Sequence, residues 1–483
     1  DGAPVAIGAL AASSLPFIVE GHFGILGTSF NPDMSQHLLA TDRLIHGAGS
    51  PLLHQGYPLG PHAVVAALDK GLGIGMVQGF DGLTIAAAVL APLTALAAFA
   101  SQPPIRRTAA ALLVGLPYLV ASYYAQGAFK ETIQALLVLA FLLALRESTR
   151  AWKDLPLRFV PAAILAIGSV YVYSFPGLTW LAAILVVWLL LERELPLRPL
   201  LLALAVFFVG ALPELGRTID FRHFETFDPN GPGLGNLFGQ ISPFTALGIW
   251  PSGDFRLAPG DGAVPAALYY LGAAFATALL VFGLDRCRRL REWSILAGAI
   301  AVAALYAAAR LGGTPYTAAK ALEIAAPILT LTILLPLMRW RSASLVLWVY
   351  ALAAAGCSLL AFANAPVGPT SYSPALTGLR PALGMGPTLV LVPAQLLDHE
   401  HGLPFVDWEL RGGRVCVNAE ESAGEQRMPR ARFVIAAAGI GPPFPGLVRR
   451  QRAGPYLLWE RHGSTRGSRC PLIAVRQARQ STP

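Results

Sequence analysis

Long apolar runs dominate this chain, and each needs either a protein core or a lipid core to receive it. They fall at roughly Ala3–Ile18, Leu83–Ala100, Thr108–Ala125, Ile133–Leu145, Val160–Tyr173, Leu178–Leu191, Leu200–Leu212, Ala267–Leu284, Ser294–Ala308, Ala321–Leu337 and Ser344–Phe362. Each crosses, or with its flanking residues nearly crosses, a hydrocarbon layer of ~30 Å. Composition decides for lipid. Of the 483 residues, 54% are hydrophobic and 13% charged, against about 25% charged in soluble domains. The sequence therefore predicts an α-helical polytopic membrane protein with about eleven transmembrane helices. It opens on Asp1 rather than Met, so a preceding segment is expected.

The net charge of +8 sits in short loops between apolar runs. That is a topology signal, not a nucleic-acid footprint. Arg106, Arg107, Arg146, Arg150, Lys153, Arg158, Arg193, Arg198, Arg286, Arg288, Arg289, Arg291, Arg339 and Arg341 collect on one side only if Tyr57–Gly75 does not cross. The positive-inside rule makes that side cytoplasmic, so Tyr57–Gly75 is expected to lie at the outer surface. Thr28–Gly82 and Glu214–Val264 become long outer loops, and everything after Asn364 is outside. Polar chemistry gathers at this outer rim.

The expected domain plan is a membrane domain over 1–364, a Pro/Gly/Ser linker over 365–388 and a small extracytoplasmic α/β domain over 389–483. Strand candidates are "LVLVP", "RVCVN", "RFVIAAA", "YLLWER" and "LIAVRQ", with a polar helical piece "AQLLDHEHG". Cys416 and Cys470 suit a disulfide in an oxidising compartment as well as they suit two separate thiols. Cys287 and Cys357 are expected to stay unpaired.

The first outer loop carries "TSFNPDMSQHLLATDRLIHG" (Thr28–Gly47). Asp33 there fits a general base, which takes a proton from an incoming hydroxyl. It equally fits an N-cap for the amphipathic helix that follows. His37 and Asp42 could be solvated faces of that helix. "YYAQGAFKET" places Lys130 and Glu131 at the top of a span, and "GGTPYTAAKALEI" does the same with Tyr316, Lys320 and Glu323. A lysine at that depth needs a counter-ion: a carboxylate, with Glu323 nearest in sequence, or the phosphate of a lipid. Arg217, Arg222 and Arg256 could add to a phosphate site. Tyr57, Trp250 and Tyr316 could stack on sugar faces, or serve as membrane-interface anchors. His37, His46, His54 and His62 lie nine, eight and eight residues apart, which fits no chelating pattern, so no metal site is expected.

Taken together, "NPDMSQHL" after a first span, "GYPLGPH", "AQGAFKE", "TPYTAAK" and the tail segment "VLVPAQLL…WELRGGRV" resemble bacterial membrane glycosyltransferases of the GT-C superfamily, in particular actinobacterial-type members with a C-terminal extracytoplasmic domain. The resemblance covers most of the chain in architecture, through short motifs. It implies a multi-pass protein of the bacterial inner membrane that moves a sugar from a polyprenyl-phosphate donor to an extracytoplasmic glycan, lipid or protein. Asp33 matches the acidic residue of the first outer loop that acts as base. Lys320, Lys130 and Arg217 would hold the donor phosphate, and His37, Tyr57, His62, Glu131 and Tyr316 would line the cavity. No cofactor is required. Partners would be membrane lipid, the lipid-linked donor, the acceptor glycan and a larger membrane complex. The tail either binds the acceptor or braces the loops. One departure stands out: the first outer loop lacks the Asp-x-Asp motif of metal-dependent members, and "DHE" (Asp398–Glu400) in the tail more readily forms a polar helix face.

Two other classes remain. A transporter would place ionisable groups or broken helices near the midplane, where these spans are bare. A non-catalytic GT-C-like structural subunit would keep Asp33 merely as a cap.

Overall fold

The computed structural model describes residues 2–47, 51–150, 153–192, 196–223, 233–340, 344–383, 386–392, 405–412, 414–417, 431–439 and 441–462. The chain opens with α1 (Gly2–Glu20), the short strand β1 (Ile25–Leu26), α2 (Met34–His46), α3 (Pro51–His54) and α4 (Gly60–Leu72). There follow α5 (Met76–Leu96), α6 (Pro104–Gly115), α7 (Tyr118–Ala125), α8 (Phe129–Ser148), α9 (Val160–Glu192), α10 (Leu197–Ala211) and α11 (Leu215–Asp220). Four long helices complete the apolar part: α12 (Ala266–Arg289), α13 (Trp293–Gly312), α14 (Pro315–Arg339) and α15 (Ser344–Ala363). The remainder holds β2 (Val367–Gly368), α16 (Pro374–Leu383), β3 (Pro387–Leu391), α17 (Val406–Glu409), β4 (Arg414–Val417), β5 (Phe433–Ala437), β6 (Leu447–Ala453) and β7 (Tyr456–Arg461).

Every apolar run predicted to cross is helical. Among the described residues, eight helices are long and apolar enough to span a membrane, or nine if α6 and α7, bent by 52°, form one crossing. α8 is 20 residues long but falls outside that set through Lys130, Glu131, Arg146 and Glu147 at its ends. The protein is a multi-pass membrane protein. α4, at 13 residues, rises only about 20 Å and does not qualify as a span.

α9 is not a straight rod. Ser174 sits at φ 58°, ψ −154°, close to a region that essentially only Gly populates. Trp188, late in the helix, meets Phe159 just before its start, with ring centroids 5.7 Å apart. A straight helix would hold them roughly 40 Å apart. α9 therefore folds back at Ser174 into two limbs, matching the two apolar runs at Val160–Tyr173 and Leu178–Leu191. The reversal is held by α8. Gln134 Nε2 donates to the Gly177 carbonyl at 3.0 Å, and Gln134 Oε1 accepts from Ser169 Oγ at 2.9 Å.

Two ion-pair clamps tie α8 to α14, one near each end. Near the N-termini, Lys320 Nζ lies 2.9 Å from Glu131 Oε1. Near the C-termini, Glu292, buried between α12 and α13, collects Arg146 of α8 at 3.0 Å, Arg150 at 2.8 Å and Arg339 of α14 at 2.9 Å. Burial alone would raise the Glu292 carboxyl, but these arginines outweigh it and hold it below the usual carboxylate range.

Two compact units emerge: residues 1–31 with 52–367, and residues 32–51 with 368–483. The second unit is built on a five-stranded sheet of order β4-β3-β5-β7-β6. β3 runs parallel to β4 and β5, whereas β5, β7 and β6 are antiparallel. Both faces are apolar, with alternation of period two. Val390, Phe433, Ile435, Tyr456 and Leu458 face α16 and α17 with Leu376, Leu379, Leu383, Val406 and Leu410. Leu389, Val434, Ala436, Leu457 and Trp459 form the opposite face.

Two boundaries differ from the sequence plan. The expected linker 365–388 contains α16, whose Leu376, Leu379 and Leu383 are core residues; its Pro and Gly content had hidden a helical apolar spacing. Residues 32–51, expected inside the membrane domain's first loop, cluster with the tail instead. β6 was missed because its "LVRRQRA" alternation is mostly charged and exposed. The predicted "AQLLDHEHG" helix, the "LIAVRQ" strand, the Asp398–Glu400 carboxylates, the side chain of Cys416 and Cys470 lie outside the described residues. Cys287 and Cys357 are free and buried.

The Glu292 clamp gives a direct test. Glu292→Gln removes the carboxylate shared by three arginines, of which Arg146 still has Glu147 at 3.1 Å, and should cost on the order of 3 kcal/mol, read as a lower melting temperature of the purified protein. In the unmodified protein this stabilisation is present above pH 4.5, the ordinary value of the carboxyl, and is lost as pH falls and Glu292 protonates.

Candidate functional site

The polar end of the membrane unit is assembled by helix starts. α14 begins with Thr314, whose side chain accepts from Thr317 N–H in a capping box. Its first turns then present Tyr316, Lys320 and Glu323 on one face. α8 starts after the tight Gly127 turn, φ 70°, and presents Lys130 and Glu131. The α9 corner supplies Tyr173.

These groups interlock. Glu131, 4% exposed, takes Lys320 at 2.9 Å and accepts from the Tyr173 hydroxyl at 3.1 Å. The Lys320 ammonium also lies over the Tyr316 ring, 4.2 Å from its centroid. Lys130 stands 4.0 Å over the Tyr57 ring and 5.8 Å from the Tyr173 centroid, a cation–π arrangement. The expected partner of Lys320 was Glu323 or a phosphate; the structure gives Glu131 instead. Glu323 is fully buried one turn deeper, and neither carboxyl oxygen has a hydrogen-bond partner among the described residues.

The described loop residues before α12 close over this cluster. Gly235, at φ 58°, lies on the Tyr316 ring so tightly that an added Cβ would meet it at 2.5 Å. Tyr316 N–H donates to the Gly233 carbonyl at 3.3 Å. Asn236 bonds the Gln126 side chain and donates to the Phe30 carbonyl at 3.1 Å. Arg256 reaches the same carbonyl at 3.3 Å from between the rings of Phe30 and Phe238. Arg256 was considered for phosphate binding, but Asp254 holds its guanidinium in a two-pronged pair of 2.9 and 2.7 Å. Gly27, at φ 78°, lies against the Gln126 backbone with no room for a side chain. The end of the first loop's opening segment is thus pinned from several directions.

Arg217 pairs with Glu214 at 3.2 Å, and its carbonyl lies against Gly56, next to Tyr57. His62 is fully buried among Tyr57, Phe80 and Phe129, with ring centroids 6.0, 5.6 and 5.8 Å away. Burial lowers its imidazole to about 3, so it is neutral at physiological pH and packs as an aromatic. Trp250 is buried against Tyr269 at 5.0 Å and offers no face to a sugar.

The structure thus links Lys130, Glu131, Lys320, Tyr57, Tyr316, His62 and the Arg217 backbone through direct contacts. Asp33 and His37 belong to the other unit. Asp33 stands at the N-cap position of α2 in helical geometry, and its side chain makes no capping hydrogen bond. His37 is buried on that helix. Sequence reasoning missed Tyr173, Asn236 and Gln126. Only the Ser-Phe-Pro-Gly break after Tyr173 was a visible signal for a corner there. Among the described residues, no three His, Cys, Asp or Glu side chains gather as a metal site requires.

Two predictions follow from this geometry. Glu131→Gln or Lys320→Met strands a buried charge and should cost roughly 3–5 kcal/mol, while the double variant should lie closer to the parent than the sum of the singles; thermal unfolding of the four proteins measures the coupling. Because the imidazole of His62 is depressed, its contribution is complete above pH 6.5 and is lost as pH falls toward about 3. Replacing His62 with Leu should therefore flatten the acid limb of the stability–pH curve across that window.

No family model matches the chain, and no curated protein matches it in sequence. Among solved structures, the chain is similar to the mycobacterial arabinofuranosyltransferase AftD, with a TM-score of 0.53 at 14% identity, over 95% of this chain and 41% of that one. It thus spans less than half the length of AftD. It is also similar to an oligosaccharyltransferase of Archaeoglobus fulgidus, solved with Zn and sulfate, at a TM-score of 0.47 and 14% identity, over 90% of this chain and 68% of that one. The AftD likeness carries the conclusion: this chain shares its fold with that membrane arabinofuranosyltransferase.

Proposed function

We propose that the protein is a membrane glycosyltransferase that moves a sugar from a polyprenyl-phosphate donor to an extracytoplasmic acceptor. The observation that carries this reading is the GT-C fold. The polar, aromatic end of its membrane unit supports it, because a lipid-borne donor brings an anionic head and an apolar tail to that depth. In this reading the arginine-rich end of the helices faces the cytoplasm, in a bacterial inner membrane, and the tail lies outside.

The acceptor hydroxyl oxygen attacks the anomeric carbon while the bond from that carbon to the phosphate oxygen breaks. The electron pair leaves with the polyprenyl phosphate, and the hydroxyl proton passes to Asp33. A single displacement inverts the anomeric centre. For the departing phosphate the candidate cations are Lys320 and Arg217, paired with Glu131 and Glu214, and Lys130, over the Tyr57 ring. Those matched charges also favour the second reading, a non-catalytic GT-C-like subunit of a membrane complex.

The deciding measurement is sugar transfer by the full chain in lipid vesicles. The donors are prenyl-phosphoryl pentoses and hexoses, and the acceptor is isolated cell-envelope glycan. Asp33→Asn should lower turnover by about 10²-fold or more. Turnover at the parent level would remove Asp33 from the mechanism, and a parent protein inactive with every donor would favour the structural subunit.

A further inference from the structure

We infer that the tail domain is the positioning element for α2 and its leading residue Asp33, and that it acts through Arg411 on Asp42. This rests on the proposed role of Asp33 as base. α2 has 13 residues, a length at which an isolated helix is marginal in water. It needs a partner to hold its direction. It belongs to the same compact unit as the tail, and the element there it packs on is α17.

The contact is specific. Asp42, 3% exposed on the buried face of α2, lies 3.8 Å from Arg411 Nε and 3.3 Å from His46 Nδ1. The guanidinium of Arg411 is itself oriented. It lies 3.6 Å over the Trp408 ring and donates to the Trp408 carbonyl at 3.0 Å. Burial pushes the neighbouring Asp407 carboxyl up to about 6, with Arg43 of α2 pulling it back. α17 is in turn fixed to its own domain. Glu409, 1% exposed, accepts from Tyr372 N–H at 2.8 Å, from Ser371 Oγ at 3.0 Å and from the Thr377 hydroxyl. The chain of fixation runs from residues 371–377 through Glu409 and α17 to Arg411, Asp42 and α2.

Arg411 is thus a positioning residue for Asp33, which lies nine residues before Asp42, about 14 Å along the helix axis. A misplacement of about 1 Å in a reacting group can cost 10²-fold in rate. The experiment uses the full chain in vesicles and whichever prenyl-phosphoryl sugar the parent accepts. Arg411→Ala should lower kcat about 10- to 100-fold with the donor KM changed less than about twofold, and Arg411→Lys should restore most of it. Amide exchange across residues 34–46 should accelerate in Arg411→Ala while the membrane helices exchange as in the parent. Parental kcat in Arg411→Ala, or a loss of kcat with unchanged exchange in α2, overturns the inference. Asp33→Asn, measured alongside, separates the two failures. If it is fully active, the functional reading falls; if it is inactive beside a fully active Arg411→Ala, only the positioning role falls.

Discussion

Buried charge pairing at the two ends of α8 and α14 is the constraint from which the membrane unit is organised. A bilayer supplies little drive for one apolar helix to choose another, so polar contacts set which helices stand side by side and at what height. Glu131–Lys320 at one end and the Glu292 cluster at the other fix both the neighbour and the register. α14 carries buried residues almost without a break from Ala318 to Met338. It is the axis around which the other helices are placed.

The candidate site grows out of the first of these pairs. The ion pair that aligns the helices also brings Tyr173 and Tyr316 to it, and the loop before α12 then covers Tyr316 through Gly235. Structure and proposed chemistry share the same residues here. Lys320 holds the fold together through Glu131, and Lys130 stands over the Tyr57 ring.

The apolar runs made the helices legible in advance, down to the fold-back after Tyr173, because hydrocarbon thickness and Pro/Gly breaks are local properties. The partner of Lys320 was not legible. Glu323, three residues away, was the local choice, yet at that spacing it enters the core one turn deeper while Glu131 arrives from another helix. Capping propensity singled out Asp33 correctly as the start of α2, but propensity does not say whether the side chain makes the bond. The affiliation of residues 32–51 with the tail depends on Asp42 meeting Arg411 across most of the chain's length, and no window of sequence contains both. β6 escaped because a strand covered on one side by solvent reads as a charged loop.

That long-range affiliation bears on how the molecule comes into being. α2 leaves the ribosome early, whereas α17 follows some 360 residues later (406 − 46). At 5–20 residues per second, the helix waits on the order of tens of seconds for the surface that receives it. Until then its ionisable groups stand without their docking face, and a nascent or truncated protein carries the candidate base on an unsupported helix. On this arrangement α2 meets its docking face only once the chain has been made through Arg411.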